Sequence, residues 1–207
     1  MKAVNYLKLL SREIHSTVVA TLDDKGAPVT CAIDMMDADE KGLYFLTAKG
    51  KRFYARLKRD GRLSITGMRG RSTMDTVDIT VNGQAREIGP EQLTALFEKN
   101  PYMKDIYPTE ASRAALTVFQ VYEGTGELFD LSKLPPQRAE FAFGGATSCE
   151  AGYVVTDQCI GCKLCYAGCP QRCIDITRKP VVIRQENCLR CGNCYEACPA
   201  KAVAKRG

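Results

Sequence analysis

Cys159-Ile-Gly-Cys162-Lys-Leu-Cys165-Tyr-Ala-Gly-Cys169-Pro170 and Cys188-Leu-Arg-Cys191-Gly-Asn-Cys194-Tyr-Glu-Ala-Cys198-Pro199 are two copies of one pattern. Three thiols at i, i+3 and i+6 on a tight loop can face three irons of one cube. The fourth corner then needs a ligand from elsewhere. Pro170 and Pro199 turn the chain away, each with a fixed φ and no N–H to donate, and Gly161, Gly168 and Gly192 permit close backbone approach. The repeat reaches further, since Asp157-Gln158 overlays Glu186-Asn187 and Tyr166 matches Tyr195. Short apolar runs, Tyr153 to Val155 and Val181 to Ile183, read as one small strand before each copy.

This pattern resembles a bacterial two-cluster ferredoxin, in which the last cysteine of each run serves the other cluster. The resemblance implies one 4Fe-4S cluster on Cys159, Cys162, Cys165 and Cys198 and a second on Cys188, Cys191, Cys194 and Cys169. Structural zinc fits less well, because zinc sites present paired Cys-x-x-Cys units rather than triplets with a remote fourth ligand. Disulfides fit less well too, since no secretory signal is read at the start of the chain. Cys173 lies outside both triplets and reads as a small buried apolar residue, with a ninth ligand as the alternative; Cys31 and Cys149 read as buried apolar residues too.

The 207 residues exceed what this module needs, and the upstream stretch is long enough for a second core. The expected division is a first domain over 1–132, a linker over 133–150 rich in Pro, Gly and small polar residues, and the cluster domain over 151–207. Charge is uneven: residues 150–207 hold nine Lys and Arg against five acids, whereas the upstream part holds twenty against nineteen. A basic tail would steer an acidic redox partner. No run of basic and aromatic residues points to nucleic acid, and no apolar stretch approaches the length of a membrane span. The expected setting is the reducing cytoplasm.

Upstream, Leu7, Leu10 and Ile14 recur at helical spacing and predict a helix from Val4 to Ile14. Strands are expected over Thr17 to Leu22, Val29 to Met36, Leu43 to Thr47, Leu63 to Met68, Thr76 to Ile88, Ala115 to Tyr122 and Thr125 to Leu131. Helical spacing returns at Phe53 and Leu57, and again after Gly89-Pro90-Glu91, where Leu93, Leu96 and Phe97 share a face. Many short strands with few helices predict a mainly β or α+β chain, with a small β-barrel flanked by helices.

Val18 to Leu22 followed by Asp-Asp-Lys-Gly-Ala-Pro-Val, then Gly42-Leu-Tyr-Phe-Leu-Thr47 and Lys51-x-x-Tyr54-x-x-Leu57, resemble the FMN-binding split barrel of the pyridoxamine 5'-phosphate oxidase-like superfamily. The resemblance implies FMN with its phosphate on Thr47 and Lys51, assisted by Lys49 or Arg52. Such a phosphate wants a hydroxyl, helix N–H groups and a cation. It further implies that the flavin ring lies against Ile33, Asp34 and Met35, and that the barrel is a homodimer. One departure matters: the oxidases end on a Trp- and Arg-containing segment that grips substrate, and this chain has no Trp. Vitamin B6 oxidation is therefore not expected. Haem-binding relatives need an axial ligand, and the single imidazole, His15, reads as a helix cap. F420 is a further alternative occupant of the barrel.

FMN beside two clusters implies an oxidoreductase that interconverts two-electron and one-electron transfer, with a small-molecule substrate or a redox protein as partner. Asp34 and Tyr44 are candidate proton donors. An electron carrier without a substrate, or a redox sensor, are the alternatives.

Overall fold

The computed structural model describes residues 1–148 and 151–207, so Cys149 lies outside the described residues. The chain divides into two compact units. The first comprises Met1–Gly70, Asp78–Glu127 and Phe141–Ser148; the second comprises Arg71–Val77, Leu128–Glu140 and the described part of 149–207.

Helix α1 (Ala3–Leu9) widens into a π turn over Leu10–Ile14, closed by the His15 N–H donating to the Leu10 carbonyl at 2.7 Å. Of the three residues at helical spacing, Leu7 and Leu10 are buried and Ile14 is half-buried, with Val4 buried beside them. Strands β1 (Ser16–Leu22) and β2 (Pro28–Asp39) pair antiparallel. Their turn is fixed by Asp23 Oδ1, which accepts from the N–H groups of Lys25 and Ala27 at 2.9 and 2.8 Å. Then follow β3 (Gly42–Ala48), α2 (Arg52–Arg59), β4 (Arg62–Arg69), β5 (Val77–Gly89), three short helices, β6 (Leu116–Asp130) and β7 (Gln137–Phe143). The short helices are α3 (Leu93–Lys99), α4 (Met103–Ile106) and α5 (Glu110–Arg113).

Strand order is β3-β2-β1-β4-β5-β6-β7, and a β3–β6 pairing closes the first six strands into an antiparallel barrel. At the closure Leu43 faces Val121 and Ala48 faces Leu116. Gly42 is required there, since a Cβ on it would lie 2.0 Å from the Val121 carbonyl oxygen. Side chains alternate along β3 and β6. Phe45 stacks on Phe119 at 5.6 Å and meets Phe53 of α2 at 5.8 Å, whereas Tyr44, Leu116 and Val118 pack against Leu96, Phe97 and Met103 of α3 and α4.

Three expectations are revised. The two strands expected over 115–122 and 125–131 are one fifteen-residue strand, β6. Gly124 does not break it; the glycine admits a close neighbour, for a Cβ would lie 2.6 Å from the Asn82 carbonyl oxygen. The third helix begins at Leu93 because Pro90 to Leu93 forms a turn, the Leu93 N–H donating to the Pro90 carbonyl at 2.9 Å. The stretch read as linker contains β7, whose Phe141 and Phe143 are buried. Its flanking Pro and Gly hid a short alternating pattern.

In the second unit, β8 (Gly152–Val155) pairs with β11 (Val203–Arg206), and β9 (Ile174–Asp175) with β10 (Val182–Ile183). Helical turns α6 (Leu164–Ala167) and α7 (Asn193–Glu196) follow the two cysteine loops. The sequence repeat is a backbone repeat as well: left-handed residues recur in pairs at Gly161 and Arg190, Lys163 and Gly192, and Arg172 and Lys201. Residues 128–140 pack on the second cysteine loop, where Asn187 Nδ2 donates to the Pro136 carbonyl at 3.1 Å and Arg190 pairs with Glu140.

Phe45→Ala removes a stacked ring from the barrel centre and should destabilise the chain by ~3–5 kcal/mol, read as a lower denaturant midpoint in far-ultraviolet circular dichroism. An unchanged midpoint would contradict this packing.

Candidate functional site

Turns and one-turn helices carry the eight pattern cysteines in the second unit, and the fold sorts them into two sets. Cys159, Cys162, Cys165 and Cys198 line one cavity; Cys169, Cys188, Cys191 and Cys194 line another. The last cysteine of each run thus faces the triplet of the other run. Among the described residues, no three His, Cys, Asp or Glu side chains converge on a single ion. The sulfurs border a cavity rather than a point.

The walls are apolar, with Val155, Val181 and Val203 on the first cavity and Ile174 and Ile183 on the second. Burial therefore pushes the Cys165 thiol up and the Cys194 thiol up to about 11. Metal binding must displace such protons, which makes loading pH-dependent. Backbone donors already point at sulfur: Arg190 N–H at Cys188 Sγ (3.4 Å) and Ala202 N–H at Cys198 Sγ (3.2 Å). The second cavity also holds Cys173, which is buried as expected but lies with its sulfur 3.6 Å from Cys169 Sγ. The thiol hydrogen bond from Cys173 holds Cys188 below the usual thiol range against burial, with help from the Arg190 N–H and the charges of Arg138 and Arg190. Cys173 itself is pushed up by that bond and by burial.

In the first unit the residues expected at a flavin phosphate gather at the start of α2. Lys51 caps the helix in an extended conformation, and its N–H donates to the Ala48 carbonyl at 3.0 Å. The Lys49, Lys51 and Arg52 side chains are exposed. Thr47 is only 2% exposed, and its Oγ1 has no hydrogen-bond partner among the described residues. Cys31 of β2 feels the charges of Arg56 and Lys51, though burial pushes its thiol up.

The expected ring contacts are consecutive residues of β2 with different surroundings. Ile33 is half-buried, with its carbonyl accepting from Thr17 Oγ1 at 2.8 Å. Met35 is fully buried, and its N–H donates to the His15 carbonyl at 2.8 Å. Asp34 accepts from Ser16 Oγ at 2.6 Å and Tyr102 Oη at 2.7 Å. Those bonds and the His15 charge outweigh burial and hold its carboxyl below the usual range. Tyr44 is committed elsewhere: its hydroxyl donates to Asp39 at 2.9 Å, and burial with Asp39 pushes it up to about 12. His15 ends the first helix with φ 62°, its ring nitrogens 3.2 Å from the Ser11 carbonyl and 2.9 Å from Tyr102 Oη.

Sequence reasoning missed the polar cluster beneath α2. Glu87 accepts from Thr117 Oγ1 (2.7 Å) and Tyr54 Oη (3.1 Å) and pairs with Lys58 at 3.0 Å. Burial opposes its ionisation, but the three hydrogen bonds and the Lys58 charge win and lower its pKa. No local pattern signals this, because the partners lie 29 to 33 residues away along the chain.

Comparison with known proteins agrees with this geometry. The family model described as pyridoxamine 5'-phosphate oxidase matches residues 6–127, and a 4Fe-4S dicluster domain matches residues 151–199. The chain belongs to the pyridoxamine 5'-phosphate oxidase family, with a 4Fe-4S dicluster domain following the barrel. No curated protein matches it. A NimC/NimA family protein of Clostridium acetobutylicum is similar in fold at 18% identity and TM-score 0.55, over 68% of this chain and 90% of that one. A protein of the same organism related to general stress protein 26, of the pyridoxinephosphate oxidase family, gives 16% and 0.51 over 67% and 92%. A haem-binding protein of Mycobacterium smegmatis gives 12% and 0.52 over 67% and 58%.

The Glu87 pKa, lowered from an ordinary 4.5 in the folded chain, adds stability above that value that is lost as pH falls through the folded pKa. Acid titration of the unfolding midpoint should therefore show a steeper fall below pH ~4.5 in the native chain than in Glu87→Gln. Identical slopes would remove the Glu87 cluster from the account.

Proposed function

We propose that this protein is a flavin and iron-sulfur oxidoreductase that passes electrons between two 4Fe-4S clusters and FMN, and thence to or from a small molecule or a redox protein. The single observation that carries this reading is the sorting of eight cysteines into two four-sulfur cavities on a chain whose other part is a barrel of the pyridoxamine 5'-phosphate oxidase family. When bound, FMN exchanges two electrons as hydride and releases them one at a time, whereas each cluster carries one. The protein's part is to hold, insulate and tune. In this reading Cys159, Cys162, Cys165 and Cys198 hold one cluster, Cys169, Cys188, Cys191 and Cys194 the other, and the apolar walls exclude water.

For the flavin, the partnerless Thr47 hydroxyl, the first N–H groups of α2 and the cations Lys49, Lys51 and Arg52 supply the donors that a phosphate takes. Ile33 and Asp34 would border the ring, and Met35 would support it from the core. Haem is less favoured, because both nitrogens of the chain's single imidazole are already hydrogen-bonded. A homodimer is supported by the exposed face of β1, β2 and β4, where Val18 is 52% and Met68 65% exposed. No helix among the described residues is long and apolar enough to cross a membrane. We place the protein in the cytoplasm, where thiols stay reduced.

Anaerobic purification with iron and flavin quantified tests the reading directly: about eight irons and one FMN per chain are expected. Iron without flavin would withdraw the oxidoreductase claim. Lys51→Ala should weaken FMN binding by about tenfold, the loss of one charge-assisted contact, with iron unchanged; undiminished flavin retention would remove Lys51 from the site.

A further inference from the structure

The two cluster cavities are related by the internal repeat, and at one repeat-related position in their linings a thiol stands where the other has a methyl group. Cys173 follows Cys169 by four residues, as Ala202 follows Cys198. Their backbones are used identically. The Cys173 carbonyl accepts from the Arg184 N–H at 2.7 Å, and the Ala202 carbonyl from the Thr156 N–H at 2.7 Å. The next residues enter equivalent strand pairs, Ile174 with Ile183 and Val203 with Val155. Each side chain lines the cavity bordered by the other run's triplet, Cys173 beside Cys188, Cys191 and Cys194 and Ala202 beside Cys159, Cys162 and Cys165. One position therefore puts a methyl group beside the cysteines and the other a thiol, 4% exposed and 3.6 Å from Cys169 Sγ.

We infer that the Cys173 thiol is a hydrogen-bond donor to the ligand sulfurs of the second cluster, raising that cluster's potential and setting the two clusters apart. This rests on the cluster reading above. Four cysteines already surround the second cavity, so Cys173 is not needed as a ligand and keeps its proton. A ligating Cys169 can only accept in the sulfur–sulfur contact, which makes Cys173 the donor. When one electron enters the cluster, no bond breaks and the proton stays on Cys173. The added negative charge strengthens the hydrogen bond, so the reduced form gains more than the oxidised form. In the first cavity the methyl group of Ala202 offers no such donor. Electrons shared between the two clusters would then settle on the second.

The experiment is an EPR-monitored redox titration of the anaerobically purified, cluster-loaded full chain, native and variant, with iron counted in each. Cys173→Ala should lower one of the two midpoints, by up to about tenfold in the reduced-to-oxidised ratio, ~59 mV for one electron, and leave the other in place. Cys173→Ser, which keeps a donor, should restore most of the shift. Ala202→Cys should raise the other midpoint and narrow the gap. With about eight irons retained, midpoints unmoved in Cys173→Ala, or both moved equally, overturn the inference alone. Loss of half the iron in Cys173→Ala overturns it in favour of ligation by Cys173. A native chain without clusters overturns this inference and the cluster reading together.

Discussion

The crossing of the fourth cysteine is the constraint on which the second unit depends. A triplet at i, i+3 and i+6 borders only three sides of its cavity, so each half must borrow a sulfur from the other. Cys169 and Cys198 can cross only if the chain reverses sharply around each triplet. The paired left-handed residues, two of them glycine and four not, make those reversals. Arginine and lysine in that region cost conformational energy, and the recurrence of the same conformation at Gly161 and Arg190 shows the geometry outranking the side chain. The two small sheets serve the same end, since each starts or finishes beside a cysteine loop.

Closure plays the corresponding part in the barrel. Pairing of β3 with β6 converts an open sheet into a closed one and leaves no edge between them. It also gives β3 and β6 two differently buried faces, one stacked inside around Phe45 and Phe119, the other covered by α3 and α4. Because both faces of β3 are buried, Thr47 at its end sits with a shielded hydroxyl next to the basic start of α2. A buried hydroxyl without a partner is costly. That cost is what makes the position informative about a bound anion.

The cysteine sets were legible because metal ligation is written in short, fixed spacings. The strands of the barrel were legible where β-branched runs alternate, as at Thr17 to Leu22. The sequence misleads between the strands expected over 115–122 and 125–131, because Gly124 lies inside β6 and serves strand approach. It misleads at β7 for the opposite reason, since a genuine strand of seven residues lies between Pro135-Pro136 and Gly144-Gly145. Helices α4 and α5, of four residues each, are too short to show any period.

The sequence by itself determined the kind of chemistry: two triplets of thiols, each followed by a Cys-Pro, and a barrel chain with a basic helix start after Gly42-Leu-Tyr-Phe-Leu-Thr47. Those features depend on neighbours within a dozen residues and survive without a fold. Only the tertiary structure decided what surrounds them. It put Cys173 against Cys169 and Cys188, gave Glu87 its partners from α2 and β6, and tied up Tyr44 and His15 in hydrogen bonds. Such contacts join residues far apart in the chain, and their energies come from burial, which no local spacing encodes.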